Sequence, residues 1–253
     1  MSDNRTAIES RARPWAVPRK PWLLRMIWHD LLFAHWPCAA EVLQPLLPAG
    51  LALDTCDGQA WIGVVPFRMS GIRLRCLPPL PGCMAFSEVN VRTYVVAEGK
   101  PGVWFLTLDA SHRIAVHCAR TFYHLPYCHA RITCSAPADG WIHYQSRRHD
   151  RRYPPAEFSA RYRPTGSAEA VAADTLANWL TARYCLYSAD RQGGLWRGEI
   201  DHAPWPLEPA EATLETNTLL TSFGIDLPGD QALLHVSRRL EAVAWPLERV
   251  PSS

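Results

Sequence analysis

Residues 87–96 read SEVNVRTYVV, and their alternation decides the fold. An extended backbone sends successive side chains to opposite faces. Glu88, Asn90, Arg92 and Tyr94 therefore share one face, and Val89, Val91, Thr93 and Val95 share the other. The β-branched residues favour a strand. A carboxylate, an amide, a guanidinium and a phenol in one row either line a pocket or face water, and the residues alone leave both readings open.

Working outward, residues 98–102, EGKPG, predict a turn, and residues 103–109, VWFLTLD, predict a second strand buried on both faces. On the N-terminal side, residues 76–86, CLPPLPGCMAF, are too proline-rich to pair as a central strand and read as a rim loop. The pair Asp57-Gly58 predicts a hairpin turn between LALDT and AWIGVVPF. Residues 22–36 predict a strand or bent strand, and Pro37 suits the first turn of a short helix after it.

Downstream, residues 112–123 predict a helix, with Ile114, Ala115, Cys118, Ala119 and Phe122 at helical spacing. Extended stretches follow over 127–162. Between them, the charged run 147–152 reads as a solvated turn, or alternatively as an anion-binding patch. Thr175 caps a short helix reaching about residue 183, with strands at 185–189, 195–202 and 232–245 and one more short helix at 217–224. Residues 1–20 read as a flexible arm and 21–250 as one β-rich domain with few, short helices.

Composition narrows the function classes. The 253-residue chain, 48% hydrophobic and 20% charged, describes a globule able to bury a real core. Its eleven tryptophans suit a wide apolar interior or an aromatic-lined pocket. A net charge of +2 is too small to predict a nucleic-acid partner. The eight cysteines contain no C-x-x-C pair, so reduced thiols and a cytoplasmic location are expected, with no membrane span and no signal core at the N-terminus. No metal is expected, because the histidines and cysteines lack ligand spacing. No phosphate loop, dinucleotide fingerprint or nucleophile elbow occurs, and no cofactor is expected. Lys20 and Lys100 are the only lysines; one sits in the Pro/Arg-rich arm and the other in the EGKPG turn, and neither suits imine chemistry, which needs a buried neutral amine.

Several ordered stretches resemble a known family. They are Leu31-Leu32-Phe33-Ala34-His35-Trp36-Pro37, residues 57–67 (DGQAWIGVVPF), Asn90-Val91-Arg92-Thr93-Tyr94-Val95, Gly102-Val103-Trp104-Phe105, His124-Leu125-Pro126-Tyr127 and Arg183-Tyr184-Cys185-Leu186-Tyr187. Together they look like the YqjF-like family of uncharacterised bacterial proteins, over roughly residues 24–248. The resemblance implies the acetoacetate decarboxylase-like fold: an α+β, mainly β chain forming an antiparallel β-barrel or cone with a few short helices. Acetoacetate decarboxylases carry a Pro-Lys-Lys segment that supplies a Schiff-base lysine. The similar segment here is Pro126-Tyr127-Cys128, with both lysines replaced.

If the barrel encloses the polar row, Arg92 can anchor a carboxylate or enolate in bidentate fashion. Glu88 can serve as general base or acid once burial raises its pKa. Along one strand these two stand ~13 Å apart and frame a pocket rather than pair. Asn90 and Tyr94 can orient a ligand oxygen, and His35 can reach the cavity. Tyr127 can act as acid or hydrogen-bond donor near an enolate, and His124 can shuttle protons. On a straight strand His124 and Tyr127 face apart, so both serve one pocket only if Pro126 marks a bend. Each residue also has a plainer reading as a satisfied core or rim side chain. Three functions follow: an enzyme handling a carboxylate or β-dicarbonyl compound without a lysine imine, a non-catalytic ligand-binding or sensing module, and an interaction scaffold. The expected partner is a small carboxylate or carbonyl compound, with self-association left open.

Overall fold

The computed structural model describes residues 13–77, 85–227 and 232–251. Most of the predicted rim loop and the first part of the predicted arm lie outside the described residues. The chain opens with β1 (Leu24–Cys38), passes through α1 (Ala40–Leu43) to β2 (Ala52–Leu53), and then lays down β3 (Ala60–Leu74), β4 (Ala85–Ala97) and β5 (Lys100–Ala110). Helix α2 (Arg113–Phe122) leads into β6 (Tyr127–Ser135), β7 (Ile142–Arg148) and β8 (Glu157–Pro164). The short β9 (Glu169–Ala170) and α3 (Leu176–Thr181) precede β10 (Cys185–Ala189), β11 (Leu195–His202), β12 (Pro206–Asn217), β13 (Leu233–Ala244) and β14 (Glu248–Arg249).

Strands β13, β1, β3, β4 and β5 pair in that order and form a wall. From β5 one path of pairing runs through β6, β7, β8 and β12 back to β13. A second path runs from β5 through β10 and β11 to β13. The wall thus has two enclosed faces, which is why β4 is apolar on one side without being wet on the other. Val89 and Val91 join Leu32, Val64, Tyr144 and Phe158 in a dry core on the first face. The second face carries Met26, Phe67, Met69 and Trp205. Burying such side chains contributes ~1.5–3 kcal/mol each, so both faces hold the wall in place.

The β4–β5 hairpin forms as expected, but its turn is tighter than EGKPG. Glu98 and Gly99 both take positive φ, 50° and 69°, and Ala97 already pairs with Lys100. Two positive-φ residues match the right-handed strand twist. The Asp57-Gly58 turn also forms, closed by a bridge between Cys56 and Gln59, but β2 pairs with β4 rather than β3. Two pairings, β5–β6 and β5–β10, are parallel, an exception within the antiparallel plan. The bend expected in the first strand sits at Asp30, with φ 50° and a register shift between His29 and Ala34. Strand β12 was not foreseen.

Two charged segments behave differently from expectation. Arg148 is not part of a solvated turn: it ends β7 buried, bonded to Asp109 at 2.8 Å and to the Thr107 hydroxyl at 2.8 Å. The arm is anchored where it is described, since Arg13 pairs with Glu199 and the Trp15 indole donates to the same carboxylate at 2.9 Å. Among the described residues no helix is long and apolar enough to cross a membrane.

Candidate functional site

The second face of the wall is not filled. A cavity of about 410 Å³ opens between β1, β3, β4, β5, β10 and β11, roofed by α2. Its size falls in the range of small-molecule sites, ~300–1,000 Å³. Glu88, Asn90 and Arg92 line it, so three members of the polar row face the hollow. The rest of the lining is mostly aliphatic and aromatic, with Trp28, Phe67, Phe86, Phe105 and Trp205 prominent.

Glu88 and Tyr127 meet across β5. Glu88 pairs in register with Ala110, and Tyr127 with Leu108, so their backbones are two strand spacings apart, ~10 Å. The side chains meet across β5, where the Tyr127 hydroxyl donates to Glu88 Oε2 at 2.6 Å. Asn90 Nδ2 donates to Glu88 Oε1 at 3.3 Å, while Asn90 Oδ1 has no partner among the described residues. Burial pushes the Glu88 carboxyl up to about 7, against the opposing pull of the Tyr127 and Asn90 hydrogen bonds. Burial also raises the Tyr127 phenol well above its usual range, so it stays a donor. An acid that is half ionised near neutrality can both take and return a proton.

Arg92 marks a cationic end. Its guanidinium lies over the rings of Phe33 (5.3 Å) and Tyr94 (5.7 Å) and donates to the Leu180 carbonyl at 3.2 Å. No carboxylate pairs with it among the described residues. Arg183, almost fully buried, also lines the cavity; it pairs with Asp54, and its Nη2 has no partner among the described residues. Two guanidiniums against one carboxylate leave this end with a surplus positive charge. His202 completes the region. Burial lowers it to about 4, so it is neutral; its Nδ1 donates to the Ala203 carbonyl at 2.7 Å, which leaves Nε2 as an acceptor.

The other predicted residues stand outside the cavity. Tyr94 is fully buried beyond Arg92, and its hydroxyl shares a 2.7 Å hydrogen bond with His35 Nε2. Both support the Phe33–Arg92 stack rather than reach the hollow. His124 turns away: at φ 51° it reverses the chain between α2 and β6, and its ring lies 5.6 Å from Trp196. It lines a separate hollow of about 300 Å³ with Trp104 and Leu106. Tyr127 enters the first cavity and His124 does not.

Arg183 and His202 had no role in the sequence reading, although Arg183 opens one of the family-like stretches; only the packing of α3 and β11 brings them to Arg92. Neither lysine reaches the cavity. Lys100 Nζ bonds Glu199 at 2.7 Å, and Lys20 pairs with Glu248 in the open. Among the described residues no group of His, Cys, Asp and Glu side chains is arranged to hold a metal ion.

A model of the family DUF2071, described as an uncharacterized conserved protein, matches residues 25–241. The chain belongs to this family. This DUF2071 protein is 43% identical over 234 residues to the uncharacterized protein YqjF of Bacillus subtilis (strain 168), covering 92% of this chain and 95% of that one. In fold it is similar to acetoacetate decarboxylase from Legionella pneumophila, with TM-score 0.63, 11% identity, and coverage of 96% of this chain and 93% of that chain. It is likewise similar to the enduracididine biosynthesis enzyme MppR complexed with pyruvate, with TM-score 0.62, 13% identity and 91% of each chain covered. At such identities the likeness concerns the fold alone. The DUF2071 chain thus has the acetoacetate decarboxylase-like architecture that the sequence resemblance implied.

Proposed function

We propose that this protein is a small-molecule enzyme that moves a proton at a carbon beside a carbonyl in a carboxylate or β-dicarbonyl compound, without a lysine imine. The observation that carries this reading is the buried Glu88–Tyr127 pair inside a cavity whose far end holds an Arg92 with no acidic partner among the described residues. The substrate carboxylate docks at Arg92 and Arg183. Glu88, in its ionised form, removes a proton from the adjacent carbon, and the resulting enolate oxygen is met by the Tyr127 hydroxyl or a guanidinium. Lyase, isomerase and hydratase reactions all share that first step. That a fold neighbour is complexed with pyruvate supports a carboxylate of this kind.

The test is deuterium exchange at C3 of 2-oxobutanoate and C2 of acetoacetate, the carbons beside the ketone, followed by proton NMR in heavy water. Exchange above the buffer rate that Glu88→Gln abolishes supports the reading; a rate equal in both proteins removes Glu88 from the chemistry. Arg92→Ala weakens carboxylate binding by roughly tenfold to a hundredfold, the worth of a charged hydrogen bond. A second reading, a binding module without turnover, draws on the fact that Glu88 is already satisfied on both oxygens. It predicts binding without exchange, unchanged in Glu88→Gln.

A further inference from the structure

The cavity is polar at one end only. Along β4 the lining residues run Arg92, Asn90, Glu88, Phe86; six residue steps span ~20 Å. At and beyond Phe86, among the described residues, the neighbouring strands contribute apolar side chains to the lining: Met69, Ile72 and Leu74 from β3, and Leu24 from β1. A pyruvate-sized compound held at Arg92 and Glu88 touches none of these.

Helix α2 lies over that apolar end. His112 at its start stacks on Phe86 with ring centroids 6.0 Å apart, and the Tyr123 hydroxyl at its end donates to the Trp245 carbonyl at 3.4 Å. The helix therefore bridges the mouth from the β4 side to the β13 side. Along its first two turns the residues it adds to the lining are small, Ala115, Cys118 and Ala119, whereas its C-terminal end adds Tyr123 and Phe122, the latter 67% exposed at the rim. Small side chains over an apolar floor leave a slot, and an exposed phenylalanine at its edge extends the apolar path outward.

We propose that the natural ligand is an amphiphilic oxo acid, with its carboxylate at Arg92 and Arg183, its reacting carbon at Glu88, and an unbranched apolar chain running past Phe86 beneath α2. Ala115 and Ala119 set the chain length accepted. The inference rests on the proposed carboxylate site. The hollow of about 410 Å³ lies within the ~300–1,000 Å³ range of sites that enclose small molecules of this kind.

Calorimetric titration of the full chain with butanoate, hexanoate, octanoate, decanoate and dodecanoate tests this. Affinity should rise about fourfold per added methylene, the worth of one buried CH₂, and level off near decanoate. Ala119→Phe and Ala115→Leu should move that levelling-off to shorter acids. Affinity that is flat from butanoate to dodecanoate overturns the inference, as does a chain-length profile unmoved in both folded variants. The two readings fail separately. A rising series with no deuterium exchange removes the Glu88 chemistry and keeps the amphiphile; exchange on acetoacetate with a flat series does the reverse.

Discussion

Gly63 stands so close to His35 that a methyl group on its Cα would lie 2.8 Å from His35 Cδ2 and 3.5 Å from the Tyr94 hydroxyl. Gly63 pairs in register with His35 on β1 and Arg92 on β4, so it is the space that lets the His35–Tyr94 hydrogen bond form beside Arg92. Burial holds His35 neutral, with the Arg92 charge adding to the effect. We expect Gly63→Ala to cost ~1–3 kcal/mol in urea unfolding, as overpacking does. It should also weaken carboxylate binding, because Phe33, His35 and Tyr94 form the bed on which Arg92 lies. Full stability in Gly63→Ala would show that the ring pair can move aside freely.

Glu88 should write its titration into the stability of the whole protein. Its carboxyl ionises at about 7 when folded, against an ordinary value of 4.5. The folded state therefore keeps a proton that the unfolded chain has released. Stability is highest below the unfolded value, falls as pH rises toward 7, and changes no further above it. Over that window the loss is of the order of 3 kcal/mol. Glu88→Gln should flatten this slope while keeping the oxygen that Tyr127 bonds. Tyr127→Phe should move the midpoint upward, since the hydrogen bond it removes favours the ionised carboxylate. Equilibrium unfolding at a series of pH values checks both, and a slope unchanged in Glu88→Gln would assign the titration to another group.

Arg148 and Asp109 tie β7 to β5 on the packed side of the fold, and Thr107 holds the same guanidinium. Burial raises the Asp109 carboxyl, and Arg148 is the cation that opposes this. Removing one partner leaves a buried charge, so Arg148→Met should cost about 3–5 kcal/mol. That loss should deepen as pH rises, because the carboxylate then has to ionise without its cation. The double variant Asp109→Leu with Arg148→Met should recover most of the loss in thermal unfolding. A double variant no better than the single would place the cost in packing rather than charge.

The sequence carried the wall but not the hollow. Alternation in residues 87–96 and the apolar run at 103–109 identify β4 and β5, because a period of two leaves little else for them to be. The polar row was legible too, since Glu88, Asn90 and Arg92 share a parity. What lies opposite that row was not. Val89 and Val91 meet Tyr144 and Phe158 from strands far along the chain, and that side is solid. Glu88 and Arg92 face a half-filled space, and no local pattern distinguishes the two sides. Strand β12 was hidden by Pro206, Pro209 and several glutamates, which suit an extended segment with one wet face but resemble a loop. Arg148 was hidden because a charge run looks solvated until its acid, 39 residues earlier, is seen beside it.

An imine needs an amine that is neutral and within reach of the substrate carbonyl. Lys100 is held by Glu199 at 2.7 Å and lies over the Trp15 ring at 5.4 Å, outside the cavity. Lys20 is exposed and paired with Glu248. The segment similar to the decarboxylase lysine pair presents Tyr127 to the cavity and buries the Cys128 thiol, which desolvation pushes up to about 12, too high for a nucleophile. Borohydride added with acetoacetate should therefore leave the intact mass of the protein unchanged. Tyr127→Lys places an amine beside Glu88 in the same hollow, and the same treatment should then add one reduced adduct at residue 127. A wild-type adduct on Lys20 or Lys100 at comparable yield would return imine chemistry to this protein and remove Glu88 from its central role.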